Sequence, residues 1–417
     1  MAHAALHKLV EIHNNHHQDP SRHTPHTVVA LRSPEFTDRS TLKNAAVAPE
    51  TAFPDLAQQV NADTHFFRDI DVIVATSGSS SGLPRLVGLS MDALLASAHA
   101  THAALKGPGV WILALPAHHI AGAQVLLRGA AHEIPPRIVD TSHGFDPRDL
   151  IPAITGAVST QGLPAYLSLV PTQLRSCLND EDVTRALATL DTVLVGGQSI
   201  DPLLLEKARS LKISIHTTYG MTETCGGCVY DGFPLPGVKL RIMEIDGQSR
   251  IAIAGPMLMT RYLDAESPII TDEDGERWLL TGDVGRIKST GELEVLGRAD
   301  SIITSGGLSI PPTPVRNAVC STPGVVDAWV MGLPDETWGE VVAAAIVADP
   351  LPRGSAEVEE AARRIRDHVG ATIGRPMAPR AFFFLETLPM GATGKVDAHA
   401  LRTMLLSRVG TDDEWRR

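Results

Sequence analysis

From residue 70 onward, short apolar runs alternate with stretches of helical period. Asp71-Val72-Ile73-Val74-Ala75-Thr76 is rich in β-branched residues and reads as a buried strand. Ser90–Ala104 reads as a helix with Ser90 as its N-cap. Val110–Leu115 and Ala165–Val170 read as strands ended by Pro116 and Pro171. Thr192–Val195 is a fourth, ended by Gly196-Gly197, and Lys212–His216 is a fifth. Helical patterns lie between them, as in Thr184–Leu190 and Pro202–Leu211. This alternation predicts a mainly parallel sheet covered by helices, an α/β class. After residue 232 the strands shorten: Val238–Ile245, Arg250–Ala254, Glu276–Leu280 and Gly285–Lys288, with turns at Asp246-Gly247 and Asp274-Gly275. That predicts a small β-rich subdomain over about 233–299. An α+β segment follows, with strands at Ala328–Met331 and Val341–Val347 and a helix at Glu357–His368. The expected organisation is a large layered N-terminal domain, 1–299, and a small C-terminal domain, 301–417, with Asp300 between them.

Length agrees, since 417 residues at about 100–200 per domain give two or three domains. Lys and Arg number 36 against 48 Asp and Glu, a net charge of −12. That balance disfavours a dedicated nucleic-acid or anionic-membrane binder. Four cysteines are too few for a disulfide scaffold and suit a reduced, cytoplasmic setting. No apolar run approaches the roughly 20 residues of a membrane span, and the start lacks the apolar core of a signal peptide. His3, His7, His13, His16, His17, His23 and His26 crowd the beginning. Without a carboxylate or Cys in a regular ligand spacing, they read as a solvated, partly helical N-terminus.

Four motifs carry chemistry. Thr76-Ser77-Gly78-Ser79-Ser80-Ser81-Gly82-Leu83-Pro84-Arg85 follows a strand. Its small residues leave backbone N–H groups and hydroxyls free to wrap a phosphate, and Arg85 adds a fixed charge. Tyr219-Gly220-Met221-Thr222-Glu223-Thr224 offers an aromatic for a base, then a hydroxyl and a carboxylate for a phosphate and its Mg²⁺. Thr281-Gly282-Asp283, followed by Gly297-Arg298-Ala299-Asp300, offers a carboxylate for ribose hydroxyls. Pro389-Met390-Gly391-Ala392-Thr393-Gly394-Lys395 presents a lysine between small residues. Such a cation suits a developing phosphoryl or carboxylate charge.

Each motif alone is short, but the four in this order are specific. The chain resembles the adenylate-forming superfamily of acyl-CoA synthetases, aryl-CoA ligases and adenylation domains over roughly residues 70–400. The resemblance implies an adenylate-forming fold and the substrates ATP and CoA with Mg²⁺. It implies that Thr76 to Gly82 and Arg85 hold phosphates, and that Gly197, Gln198, Tyr219, Gly220 and Met221 line the AMP site. Thr222 would touch the α-phosphate, Glu223 would hold Mg²⁺, and Asp283 and Arg298 would bind ribose. Lys395 would act in adenylation, with Asp300 as the hinge. A homodimer is a family-level implication. Three positions depart from the pattern: Arg85 replaces a Lys, Met390 replaces a basic residue, and Arg316 follows Pro314-Val315 where the family has Glu. Only 75 residues precede Thr76, fewer than is typical.

The acyl side rests on Leu115-Pro116-Ala117-His118-His119-Ile120-Ala121-Gly122, Ser168–Leu174 and Gly196-Gly197-Gln198-Ser199. With the shortened chain, this combination looks most like the actinobacterial o-succinylbenzoate–CoA ligases of menaquinone biosynthesis. That implies activation of the succinyl carboxylate and donors for the ring carboxylate. The candidates are His118 or His119, Thr172, Gln198 and Ser199, with Thr224 also at the acyl pocket; no buried arginine is evident. A ligase for another aryl or medium-chain acid, and a non-catalytic nucleotide-binding protein, are the alternatives. Cys225-Gly226-Gly227-Cys228 lacks a second ligand pair and reads as pocket lining.

Overall fold

The computed structural model describes residues 2–18, 27–32, 46–53, 56, 66–76, 85–141, 143–391, 395–411 and 414–417. The chain divides into two units. The first comprises 1–198, 208–240 and 252–280; the second comprises 199–207, 241–251 and 281–417.

The first unit holds a seven-stranded sheet. Its order is Phe233–Pro234, Gly226–Tyr230, Ile215–Met221, Thr192–Gly196, Ala165–Leu169, Val110–Leu113, Arg137–Ile138. The last five run parallel, and the first two are antiparallel. Ala165–Leu169 and Val110–Leu113 are buried along their whole length, as expected for strands covered on both faces. The fifth strand runs further than the expected Lys212–His216 and takes in Tyr219-Gly220-Met221. The two glycine-bearing segments permit this. A Cβ on Gly220 would fall 2.1 Å from the Gly226 carbonyl oxygen, so the backbones cross where no side chain fits.

Val72–Ala75 does not join that sheet. It pairs antiparallel with Leu86–Leu89 in a separate five-stranded sheet with Arg261–Tyr262, Val29–Leu31 and Ala46–Val47. Strand Leu86–Leu89 escaped the sequence reading because Gly88 interrupts a short run. The helix Met91–Ala104 is capped as expected, with Ser90 Oγ accepting from the Ala93 N–H at 3.2 Å. The N-terminus corrects the expectation of a solvated segment. Ala2–Gln18 is a helix whose Leu6, Leu9 and Val10 are buried, packed against the helix Ile120–Ala130. His13 pairs with Asp92 at 3.3 Å. His23 and His26, and the side chains of His16 and His17, lie outside the described residues.

Arg277–Ile287 is one strand where two were expected, and in the second unit its segment from Asp283 pairs with Leu293–Arg298. The ladder shifts between Val284 and Gly285, which broke the sequence pattern in two. A six-stranded sheet is centred on Gly339–Ala348, paired with the long strand Val325–Asp335 and with Ala381–Phe384. Ala344 and Ile346 pack to one side with Val319, Ile365 and Phe382. Ala343 and Ala345 pack to the other with Phe383, Leu401 and Leu405.

The first unit also buries polar groups. Trp111 Nε1–H donates to His102 Nε2 at 3.2 Å. The Arg128 guanidinium stacks 4.5 Å from the Trp111 ring centre and donates to Thr101 Oγ1 at 3.1 Å. Burial, then the nearby Arg128, His132 and His99, push the His102 pKa down from 6.5 to about 3. Below pH 6.5 the unfolded chain therefore takes up a proton that the folded chain refuses. Stability from this group is lost as pH falls from about 6.5 toward 3, by at most about 1.4 kcal/mol per unit. We expect urea unfolding midpoints of wild type to fall over pH 6.5–4.5 more steeply than those of His102→Gln; parallel slopes would refute the assignment.

Candidate active site

Neighbouring parallel strands end at one edge of the seven-stranded sheet, and the expected site residues leave from those ends. In spatial order, Met221 leads to Thr222 and Glu223, and Gly196 leads to Gly197 and Gln198. Leu169 leads to Pro171 and Thr172, and Leu113 leads to His118 and His119. The carboxyl edge of parallel strands is where α/β folds bind ligands. Gln173 ties two of these loops together. It donates to the Ala114 carbonyl at 3.0 Å and accepts from the Val170 N–H at 3.1 Å. Pro116 wraps so closely on the next helix that a Cβ at Gly122 would sit 2.2 Å from its carbonyl oxygen.

The rings of His118 and His119 lie with centres 4.3 Å apart, tilted 45° to each other. Burial lowers the His118 pKa, so His118 favours the neutral imidazole. His119 stands at the N-cap position of Ile120–Ala130. Gly197 takes φ +85, which turns the chain out of its strand, and Gln198 is half-buried. Tyr219 and Gly220 lie within the strand Ile215–Met221, with Met221 as its last residue.

Thr222-Glu223-Thr224 forms one helical turn after that strand. Thr224 is fully buried. Its hydroxyl accepts from the Met221 N–H at 2.9 Å and donates to the Gly226 carbonyl at 2.8 Å. Its side chain therefore serves the turn rather than the acyl pocket where it was expected. Glu223 Oε1 accepts from Tyr262 Oη at 2.5 Å, and the Arg85 guanidinium lies 5.2 Å from the Tyr262 ring centre. Tyr262 is a residue the sequence reading missed. Thr76 and Arg85 close the foot of the phosphate loop. Thr76 N–H donates to the Arg85 carbonyl at 2.8 Å, and Arg85 N–H donates to Thr76 Oγ1 at 2.9 Å. Ser77, Gly78, Ser79, Ser80, Ser81 and Gly82 lie outside the described residues.

The second unit carries the other expected residues. Asp283 is buried and pairs with Arg298 Nη1 at 3.5 Å. A Cβ on Gly282 would fall 2.5 Å from Arg298 Nη2, so the guanidinium lies flat over that glycine. Arg250 Nε donates to the Thr281 carbonyl at 2.9 Å and fixes this strand. Asp300 Oδ1 faces Arg298 Nε at 3.7 Å. Next to Lys395, Met390 bridges Val396, and Gly391 N–H donates to the Lys395 carbonyl at 2.7 Å. Burial lowers the Lys395 pKa. Ser199 is exposed, and its hydroxyl and carbonyl both accept from Arg316 Nη1 at 3.2 Å. Arg316 also pairs with Asp327 at 2.8 Å.

No buried arginine is evident from the sequence, yet the first unit holds one. Arg128 is 4% exposed, its pKa is lowered by burial, and among the described residues no carboxylate pairs with it. Its Nε, and Gln124 Oε1 one turn earlier on the same helix, have no hydrogen-bond partner among the described residues. A lone arginine inside Gln124-Val125-Leu126-Leu127-Arg128 was the signal available in the sequence.

This fold and this row of strand-end loops define an adenylate-forming enzyme. The chain belongs to the AMP-binding enzyme family: residues 2–263 match it, and residues 315–395 match the family's C-terminal domain. It is 41% identical over 360 residues to a probable 2-succinylbenzoate–CoA ligase of Mycobacterium tuberculosis, covering 86% of this chain and 90% of that one. It is 28% identical over 371 residues to the 2-succinylbenzoate–CoA ligase of Bacillus subtilis, covering 84% and 72%. Among solved structures it is similar to the B. subtilis o-succinylbenzoate–CoA synthetase in complex with the acyl-adenylate OSB-AMP. That match has a TM-score of 0.65 and 28% identity, covering 81% of this chain and 69% of that one. The same enzyme with ATP and magnesium ion gives a TM-score of 0.65 at 27% identity, covering 80% and 70%.

All four cysteines are free and buried. Burial raises the Cys225 thiol and pushes Cys177 and Cys228 up to about 12. Cys225 and Cys228 therefore belong to the core and not to an open pocket wall. With thiolate as the reactive form, the native protein at pH 8 is expected to react with Ellman's reagent about 10³-fold more slowly than in denaturant. Rapid native labelling of Cys225 or Cys228 would contradict this packing.

Proposed function

We propose that this chain ligates o-succinylbenzoate to CoA, as its curated relatives are named for doing, and that it does so with ATP by way of an acyl-adenylate. The observation that carries the reading is the assembly of Thr76, Arg85, Tyr262 and Glu223. Motifs far apart in sequence converge there on the makings of one triphosphate site. In the first half-reaction a carboxylate oxygen attacks the α-phosphorus and pyrophosphate leaves. In the second, the thiolate of CoA attacks the acyl carbonyl and AMP leaves.

The residues divide this work. Ser77 to Gly82 offer N–H groups and hydroxyls to the β- and γ-phosphates, and Arg85 adds charge at their foot. Thr222 donates to the α-phosphate, Tyr219 stacks on adenine, and Gly197, Gln198, Gly220 and Met221 border it. Asp283, oriented by Arg298, accepts the ribose hydroxyls. Lys395, an ammonium partly stripped of water, attracts the negative charge that builds between the acyl and phosphoryl groups. Glu223 fits Mg²⁺: it is a half-buried hard oxygen donor with Oε1 held by Tyr262, and Mg²⁺ is commonly held by one or two carboxylates plus substrate phosphates. When bound, that ion neutralises phosphate charge. Asp300 serves as the pivot at which residues 301–417 change position between the two half-reactions.

His118 or His119, Thr172, Gln198 and Ser199 are the candidate donors for the ring carboxylate; of these, His118, His119, Thr172 and Gln198 follow the ends of neighbouring strands. Among the described residues no helix is long and apolar enough to cross a membrane. The four free buried thiols support a cytoplasmic setting.

The test is pyrophosphate release with ATP, Mg²⁺ and a panel of carboxylic acids, each with and without CoA, with products weighed by mass spectrometry. Turnover selective for o-succinylbenzoate, yielding its CoA thioester, is expected. Turnover with benzoates or fatty acids instead would discard the substrate. Lys395→Ala is expected to slow adenylation by roughly 10²–10³ while ATP still binds.

A further inference from the structure

Glu223 is gripped from outside its own turn. Its carbonyl accepts from the Met259 N–H at 2.8 Å, and its Oε1 accepts from Tyr262 Oη at 2.5 Å. Both donors belong to one short segment. Tyr262 lies on the edge strand Arg261–Tyr262, opposite Val87 of the strand Leu86–Leu89. That second strand begins directly after Arg85. The two are locked together: Leu263 N–H donates to the Leu86 carbonyl at 2.9 Å, and Leu86 N–H reaches both Asp264 oxygens at 3.0 and 3.1 Å. The register leaves Tyr262 no freedom to slide relative to Arg85, whose guanidinium sits 5.2 Å from its ring centre. Tyr262 is 6% exposed, so water competes poorly for its hydroxyl. One side chain thus touches both the cation at the foot of the phosphate loop and the carboxylate after the strand Ile215–Met221.

We infer that Tyr262 is a positioning residue for the metal-bound nucleotide. Its hydroxyl fixes the rotation of the Glu223 carboxylate and turns Oε2 toward the cation. Its ring holds the Arg85 guanidinium at the triphosphate end. The inference rests on the reading of Glu223 as the cation-holding residue. The physical basis is general: a carboxylate that ligates a metal is oriented by its own hydrogen-bond partners, and removing one typically costs 10- to 100-fold in metal affinity. A neutral donor suits this task, because it orders the carboxylate without consuming its charge.

The experiment uses the full chain with Mn²⁺ as the probe. Free Mn²⁺ is read by electron paramagnetic resonance at saturating ATP, and AMP binding without metal is read by calorimetry. Tyr262→Phe keeps the ring and removes the hydroxyl. It is expected to weaken Mn²⁺ binding about tenfold and to leave AMP affinity within about twofold, a split that general loosening of the fold would not give. Tyr262→Leu is expected to weaken ATP binding as well, through Arg85. In a Glu223→Gln background, Tyr262→Phe is expected to add nothing. Wild-type Mn²⁺ affinity in Tyr262→Phe, or an undiminished effect with Glu223→Gln present, overturns the inference. If Glu223→Gln itself leaves Mn²⁺ binding unchanged, the reading of Glu223 fails and takes the inference with it. If Glu223→Gln weakens binding and Tyr262→Phe does not, the inference alone fails. Should the Phe variant not fold, Glu223→Asp tests the same bond by drawing the carboxylate back one methylene. A loss of similar size is expected there, and wild-type affinity would overturn the role of Tyr262.

Discussion

The site hangs from one backbone constraint: neighbouring parallel strands, hydrogen-bonded in register, that stop at a common edge. Tyr166 faces Thr192, and Val193 faces Ile215, so the ends of these strands are fixed relative to one another by the ladder itself. What each strand end presents then depends on how it stops. Pro171 opens a helix directly after Val170, Gly197 turns at positive φ, and Met221 runs into a single turn cinched by Thr224. A substitution that disturbs a strand's end therefore moves chemistry, while one in its middle moves stability.

Behind that edge the interior is not uniformly apolar. Thr101, His102, Trp111, Arg128 and Tyr230 form a continuous buried polar chain. Two terms oppose each other there. Desolvation disfavours both the Arg128 charge and a protonated His102, and the stack on Trp111 with the hydrogen bond to Thr101 returns part of that cost. Because the guanidinium cannot lose its proton in practice, the penalty falls on the histidine, which stays neutral and acts as an acceptor for Trp111. The guanidinium is thereby held in one place within the core.

The sequence made the elements and motifs readable where local chemistry is self-sufficient. Ser90 announces its helix by a cap, Pro116 and Pro171 announce strand ends, and the order of Thr76, Glu223, Asp283 and Lys395 announces a nucleotide chemistry. What escaped was set by tertiary packing. Tyr219-Gly220-Met221 looked like a loop because glycine is a poor strand former, yet glycine is what lets Gly226 cross beside it. The helix Ala2–Gln18 looked solvated because its histidines crowd out a short stripe of buried aliphatics that includes Leu6, Leu9 and Val10. Thr224 looked like a pocket residue because a hydroxyl beside Glu223 has no label saying which way it points; its hydroxyl closes the turn. Tyr262 and Arg128 carried no motif, since their meaning comes from partners 39 and 27 positions away.

Arg85 illustrates how a departure from a family pattern becomes intelligible once its neighbour is known. A lysine at the foot of the phosphate loop would be a strongly hydrated point charge on a flexible stem. A guanidinium is flat and more weakly hydrated, and it stacks on an aromatic face without giving up its donors. The Tyr262 ring supplies that face, and the same ring's hydroxyl is committed to Glu223. A cation above the ring and an anion at its edge stabilise the tyrosine in one place, where burial and the Glu223 carboxylate hold its hydroxyl protonated. The exchange of Lys for Arg is therefore not neutral in this chain. It converts a mobile charge into one held against a ring whose hydroxyl donates to Glu223, so Arg85 and Glu223 are both tied to a single aromatic side chain.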